Sequence, residues 1–296
     1  MTRICDYEGS QYRTEFWERQ DRRYEDLAER IAIGRMLPSS GGRIIEVGAG
    51  FGRLIDLYQR YQQIVVMDYA RTQLEEAQRY LGQDDRFIFV VADVYKMPFA
   101  DNLFDALVMV RVMHHMANVP AALGEIQRIT NGGGAAIIEH ANKRHLKAIL
   151  RWRLKRQGWN PFDRAPHEFV DLNFDFHPAW MREKFAKAGL TIQATRTVSH
   201  FRLPLLKQLI SPGLLAKFDG VVQPTGRWFQ YTPSIFHLAT PDKPPQKNVS
   251  QFFKCPACHS ASFENHPDYL ICPSCNSYWA FRDNIYDFKT PLNPSI

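Results

Sequence analysis

At 296 residues, with 45% hydrophobic and 23% charged residues, the chain is long enough to bury one large core plus a small appendage. No run approaches the roughly 18 to 20 consecutive apolar residues that span a bilayer, and residues 1–8 carry charge where a signal peptide needs an apolar stretch, so a cytoplasmic location is expected. The formal charge of +6 is concentrated: residues 143–156 hold seven Lys or Arg and no Asp or Glu, which leaves 30 basic against 31 acidic residues elsewhere and localises any anionic partner to one face.

In chain order, residues 15–37 read as an amphipathic helix with Tyr24, Leu27, Ala28 and Ile31 on one stripe. A short buried strand over 43–48 follows, running into the turn Gly48, Gly50, Gly52, and Leu54, Leu57 and Tyr58 then predict a helix over 53–61. Alternate glycines let the backbone turn tightly and approach a ligand closely, and a helix start would offer free amides to something anionic. A second buried strand, 64–68, ends in Asp68, twenty residues after Gly48, where a ribose-binding acid belongs in a mononucleotide fold. After a helix over 71–81, a third strand, 86–92, runs into Asp93. Arg53 stands where a dinucleotide fingerprint needs glycine, which demotes a nicotinamide reading. A strand over 104–110, a helix over 120–130 and a strand over 135–140 complete a βα alternation that implies right-handed units and a parallel sheet, with ligands bound at the carboxyl ends of the strands.

The combination E-V-G-A-G-F-G at 46–52, Asp68, Ala92-Asp93, L-F-D-A-L-V at 103–108 and N-G-G-G at 131–134 resembles the class I S-adenosylmethionine (SAM)-dependent methyltransferases, of the type 11 domain kind, over roughly residues 40–240. The resemblance implies a Rossmann-like, seven-stranded, mostly parallel α/β sheet with helices on both faces. It implies that Glu46 orients the methionine end of SAM, that Asp68 holds the ribose hydroxyls, and that Asp93 with Val94 contacts the adenine. Gly48, Ala49, Gly50, Gly52 and Tyr69 complete the expected cofactor wall, and Arg111 is a candidate for the SAM carboxylate or, alternatively, for a salt bridge to Glu46. In such a family the leading helix of an N-terminal cover, residues 1–42, lies over the cofactor pocket. Aromatic residues such as Tyr7, Tyr12, Phe16 and Trp17 wall the acceptor site or, alternatively, pack on the sheet edge.

Beyond the fifth strand the alternation breaks over 141–177, which is read as a lid because loops longer than about 12 to 15 residues inside a compact domain are usually functional. A helix from Pro178 to a Gly189 stop, a sixth strand over 191–198, an apolar helical insertion over 203–220 and a seventh strand over 232–239 follow; the resemblance makes the last an antiparallel edge strand. Residues 241–251 are polar and proline-rich and read as a linker.

Four of the five cysteines form two C-x-x-C pairs, Cys255 with Cys258 and Cys272 with Cys275. Two such knuckles complete a tetrahedral S4 site that suits a structural zinc with no open position, whereas a redox dithiol would use one pair and leave the other unexplained. Residues 252–296 resemble a zinc ribbon of the Trm112-like type, too small to fold without its metal.

A sulfonium methyl is already electrophilic, so the enzyme the resemblance implies must align a nucleophile and exclude water, with a base needed only for an acceptor protonated at neutral pH. His114 and His115, directly after the fourth strand, are the candidates for that base; the alternative is that they orient the loop. Residues 145–157 place Leu146, Ile149, Leu150 and Leu154 on one stripe among Lys and Arg, which fits a solvated lid helix, an RNA-backbone contact or a membrane-surface helix. A small or lipid-like acceptor is the first expectation, RNA or a translation component the second, and a non-catalytic SAM-binding regulatory subunit a third.

Overall fold

A computed structural model describes residues 3–10, 13–18, 22–247 and 249–292, with the side chains of Glu15, Phe16 and Glu18 outside that description. A single turn, Arg13–Glu18, precedes α1 (Arg23–Gly34), whose Tyr24, Ala28, Ala32 and Ile33 are buried. The expected helix over 15–37 is thus shorter. Next come β1 (Gly41–Val47), β2 (Tyr61–Asp68), α2 (Arg71–Leu81), β3 (Phe87–Val91), β4 (Phe104–Met109), α3 (Val119–Ile129) and β5 (Thr130–Ala141).

Residues 141–177 hold α4 (Leu146–Arg153) and a hairpin of β6 (His167–Val170) with β7 (Asn173–Asp175). The chain continues through α5 (Pro178–Lys187), β8 (Leu190–Val198), α6 (Pro204–Leu209), α7 (Pro212–Val222) and β9 (Ser234–Pro241). Four short strands close it: β10 (Glu264–Asn265), β11 (Tyr269–Cys272), β12 (Ser277–Arg282) and β13 (Ile285–Leu292).

The strands form one sheet in the order β10-β11-β12-β13-β3-β2-β1-β4-β5-β9-β8. Its centre, β3-β2-β1-β4-β5, is parallel, and continuous runs such as Ile44, Ile45 and Ile64 to Met67 are buried because both faces are covered. Three expectations are corrected here. No helix spans 53–61: a short 3-10 turn at Ile55–Tyr58 fills the gap, because β2 already begins at Tyr61 and leaves no length for one. The seventh strand, β9, is antiparallel but not an edge. It lies between β5 and β8, which fits Ile235, Phe236 and His237 being fully buried, and the sixth strand, with its exposed Thr191 and Gln193, takes the edge. Finally, the four-cysteine segment does not hang from the sheet. Its last strand, β13, pairs in parallel with β3 and extends the same sheet.

The preceding segment is also anchored. Lys243 Nζ donates to the carbonyls of Gln127 (2.5 Å) and Arg128 (2.8 Å), Gln246 exchanges hydrogen bonds with Asn131, and Phe253 stacks on Phe99. A Cβ on Gly132 would collide with the backbone of Lys243 and Pro244, so this close approach requires glycine there. Among the described residues no helix is long and apolar enough to cross a membrane.

Candidate active site and cysteine cluster

Parallel strands leave their carboxyl ends at one edge, and the loops after β1, β2, β3 and β4 converge there on a cavity of about 190 Å³. Glu46, Gly48, Ala49, Gly50, Asp68, Tyr69, Val94, Arg111, His114 and His115 all line it. Gly52 and Asp93 do not. Gly52, at a positive φ, packs its α-carbon against Leu81 of α2, so its role is to let the turn sit on that helix. Asp93 caps the short turn after β3 by accepting from Tyr95 N at 2.9 Å.

Gly48 is where the site needs glycine for both reasons at once: its φ is +71°, and a Cβ there would fall inside the Val112 side chain. Asp68 fixes the turn by accepting from Gly50 N (2.8 Å) and Ala70 N (3.0 Å), and burial holds its carboxyl above the usual range. Glu46 is 4% exposed and its Oε2 has no hydrogen-bond partner among the described residues. Burial pushes its carboxyl up to about 8 against the opposing pull of the Arg53 charge. An unpartnered buried carboxylate oxygen on a cavity wall is costly unless a donor or cation arrives.

Within the chain the Arg111 guanidinium pairs with Glu29 of α1, at 2.5 Å, rather than with Glu46, and its backbone N donates to Glu139. Glu29 also binds Arg53 (2.8 Å), which pairs in addition with Asp26, and the Trp17 ring lies 4.0 Å from Arg53 and 5.0 Å from Arg111. One buried glutamate thus holds two cavity-lining arginines against one indole. Sequence reasoning missed Glu29 and used Arg53 only to exclude another cofactor. The available signal was Glu25 and Glu29, two acids four residues apart on the apolar stripe of α1, where burial demands partners.

The two histidines differ. His115 Nδ1 lies 2.9 Å from the Leu172 carbonyl, which can only accept, so that nitrogen carries the proton and Nε2, 3.1 Å away, accepts from the Tyr7 hydroxyl. Both of its ring nitrogens are engaged. His114 stacks beside it with centroids 4.0 Å apart and has no hydrogen-bond partner among the described residues. Burial, with the neighbouring His115 and Arg111, keeps His114 neutral well below the usual imidazole range.

The cover is assembled from remote segments. Ile4, Cys5, Tyr7 and Trp17 line the cavity from the N-terminal side and Asn173 from the β6–β7 hairpin. Arg3 ties the two together through Glu168 (3.0 Å) and Asp171 (2.8 Å), and Glu8 accepts from the first amides of α2, Arg71 N and Thr72 N. Lys289 of β13 pairs with Asp6 and lies 4.0 Å from the Tyr69 ring centre. Of the aromatic residues expected here, Tyr12 and the Phe16 side chain lie outside the described residues.

Separately, the Sγ atoms of Cys255, Cys258, Cys272 and Cys275 lie within 4.8 Å of one another. Cys255 to Cys275 is 3.7 Å and Cys258 to Cys272 is 3.5 Å, near the roughly 3.8 Å edge of a tetrahedron with metal–sulfur bonds of about 2.3 Å. Both knuckles close identically. His259 N donates to Cys255 O and Asn276 N to Cys272 O, each at 2.8 Å, with His259 and Asn276 at positive φ.

Comparison with known proteins places this geometry. Residues 45–138 match the family model described as a methyltransferase domain. A demethylmenaquinone methyltransferase of Clavibacter sepedonicus is 32% identical over 215 residues, 68% of this chain and 82% of that protein. A malonyl-[acyl-carrier protein] O-methyltransferase of Legionella pneumophila is 28% identical over 152 residues, and the chain spans only half of that relative's length. Among solved structures, a chain from the complex between the Haloferax volcanii Trm112 methyltransferase activator and the putative methyltransferase superposes with a TM-score of 0.54 at 16% identity, covering 76% of this chain and 93% of that one. That likeness shows the fold. The sheet order, the glycine turn closed on Asp68 and the extent of the match to the Clavibacter protein agree, and the chain belongs to the SAM-dependent methyltransferases.

Proposed function

We propose that this protein methylates a small, lipid-like organic acceptor inside the cavity at the carboxyl edge of the sheet. The observation that carries this reading is the enclosure. The Tyr7 segment and the β6–β7 hairpin, tied together by Arg3, close over a cavity with many apolar wall residues, among them Ile4, Met67, Val112 and Met116. The names of two relatives, a demethylmenaquinone methyltransferase and a malonyl-[acyl-carrier protein] O-methyltransferase, support it.

The residues fit SAM. Glu46 Oε2, without a hydrogen-bond partner among the described residues, suits an ammonium, Asp68 at the end of β2 suits a ribose diol, and Val94 with Ala92 offers an apolar slot for a base. When bound there, SAM supplies a methyl group made electrophilic by its sulfonium. The chain's own part is to position and to dry the site. His115, held by Leu172 O and Tyr7, fixes the loop after β4, and Trp17, clamped by Arg53 and Arg111, closes the cavity wall against water. His114, neutral and with its ring nitrogens uncommitted, takes the proton of an acceptor that is protonated at neutral pH. The four thiolates hold one structural zinc in a ribbon of Trm112-like type.

Incubating the protein with a host extract and methyl-labelled SAM tests the acceptor class. Label is expected in the solvent-extractable fraction. Label in nuclease-sensitive material would overturn the reading in favour of RNA, and binding of SAM without any labelled product would indicate a regulatory subunit.

A further inference from the structure

Helices α4, α6 and α7, at the β5–β9–β8 end of the sheet, turn most of their large apolar side chains outward. In α7, Leu215, Ala216 and Asp219 are buried, while Leu214, Phe218 and Val221 are exposed. In α4, Ala148 and Ile149 face inward, whereas Leu146, Leu150 and the capping Leu154 face out. The stripe expected from sequence is therefore split, with only Ile149 in the core. No residue of α6 is buried, and its Leu209 is 73% exposed. Trp228 and Phe229 follow, at 67% and 61% exposed. Sixteen of the seventeen exposed large apolar side chains among the described residues fall within 146–231, the other being Tyr80. Single exposed leucines are ordinary, but clustering on this scale marks an interaction surface.

These segments adjoin one another. Leu146 N donates to Tyr231 O, and Arg144 lies over the Tyr231 ring at 5.6 Å. They also share the edge that holds the cavity: Ala141 at the end of β5 and Val198 at the end of β8 both pair with Ser234 at the start of β9.

Along residues 146–156 and 199–231 the exposed charge has one sign, whereas the exposed Asp163, Glu168 and Asp171 accompany Phe162, Phe169 and Val170 between them. Lys147, Arg151, Arg153, Lys155 and Arg156 are exposed, with no ion pair among the described residues, and Lys217 and Arg227 are exposed beside them, as is Arg202, which pairs with Glu25. The sole acid of residues 199–231, Asp219, is fully buried against Tyr24 and His200. Outward leucines and aromatics interleaved with unpaired cations complement one surface chemistry in particular: apolar acyl chains beneath anionic headgroups. An RNA backbone would use the cations and leave the apolar side chains wet.

We propose that this face docks the protein on an anionic lipid bilayer, so that the cavity opens beside the membrane. The docking rests on the surface alone; delivery of an acceptor from the bilayer rests in addition on the lipid-like acceptor proposed above.

Flotation of the purified protein with vesicles of phosphatidylcholine, with and without phosphatidylglycerol, tests it. Binding to the anionic vesicles, weakened by salt, is expected. At about fivefold per basic residue, R151A/R153A/K155A should lose about a hundredfold in partitioning. W228S/F229S should also release the protein while SAM binding and zinc content stay at wild-type levels. Absence of flotation overturns the proposal. So does a W228S/F229S-sensitive dimer in sedimentation without flotation, which would assign the face to a second copy, or RNA binding that needs the arginines but not Trp228 and Phe229. Flotation with label only in water-soluble product would retain docking and reject the lipid-like acceptor; extractable label without flotation would do the reverse.

Discussion

The two halves of the cavity are built in different ways. Glu46, Gly48, Gly50 and Asp68 sit at the ends of adjacent parallel strands, held by the strand pairing and by bonds such as Gly50 N to the Asp68 carboxylate, eighteen residues on. The acceptor half has no such frame. His115 is oriented by Tyr7, 108 residues away, and by Leu172, 57 residues away, and its cover holds together through surface pairs of Arg3. Strand ends fix the first half as part of the global fold. The second half rests on contacts between segments remote in sequence, of which the exposed Arg3 ion pairs contribute about 1 kcal/mol or less each.

The largest effect should come from breaking the support of the rigid half. Cys272→Ser should drop zinc from one equivalent per chain towards none by elemental analysis. Because β13 covers the edge of β3 and places Lys289 over Tyr69, the melting temperature and SAM affinity should fall with it. Cys5→Ser should change neither zinc content nor melting temperature. A Cys272→Ser protein with full zinc would remove the S4 assignment.

On the acceptor side, His114→Ala should lower kcat by about a hundredfold for an acceptor that must lose a proton, while calorimetric SAM affinity changes little. An equal loss of SAM affinity would place His114 in the cofactor half and redraw the comparison.

A smaller, pH-dependent effect separates Glu46 from its neighbours. Its carboxyl is raised to about 8 in the folded chain, above the ordinary 4.5, so the native state retains a proton that the unfolded chain releases. That contribution to stability is present below about pH 4.5 and is lost as pH rises through about 8. Glu46→Gln should flatten the fall in melting temperature between pH 5 and 8. At pH 7, where Glu46 starts protonated, SAM binding should release a proton, seen as buffer-dependent heats in calorimetry. The glutamine variant should release none.

The same contrast explains what the sequence could reveal. Continuous apolar runs ending in Glu46 and Asp68 place these residues at the cavity, since each residue's position follows from its own strand, whereas Asp93, read the same way, caps the turn after β3. Leu54, Leu57 and Tyr58 misled because a core-packed 3-10 turn buries residues at the same spacing as a helix. The Glu29 bridge to Arg53 and Arg111, the Tyr7–His115–Leu172 chain and the pairing of β13 with β3 depend on tertiary contacts that no local period encodes. The basic segment was visible, but whether its leucines face in or out depends on what α4 packs against.

The central claim is that SAM binds at the strand ends through Glu46 and Asp68. Titration calorimetry of the purified protein with SAM and with S-adenosylhomocysteine tests it directly. The account predicts saturable binding of both, weakened at least thirtyfold in Asp68→Ala, as expected for losing hydrogen bonds to a charged acceptor that contribute about 2 to 4 kcal/mol. Absence of binding, or binding that Asp68→Ala leaves intact in a folded protein, would contradict it.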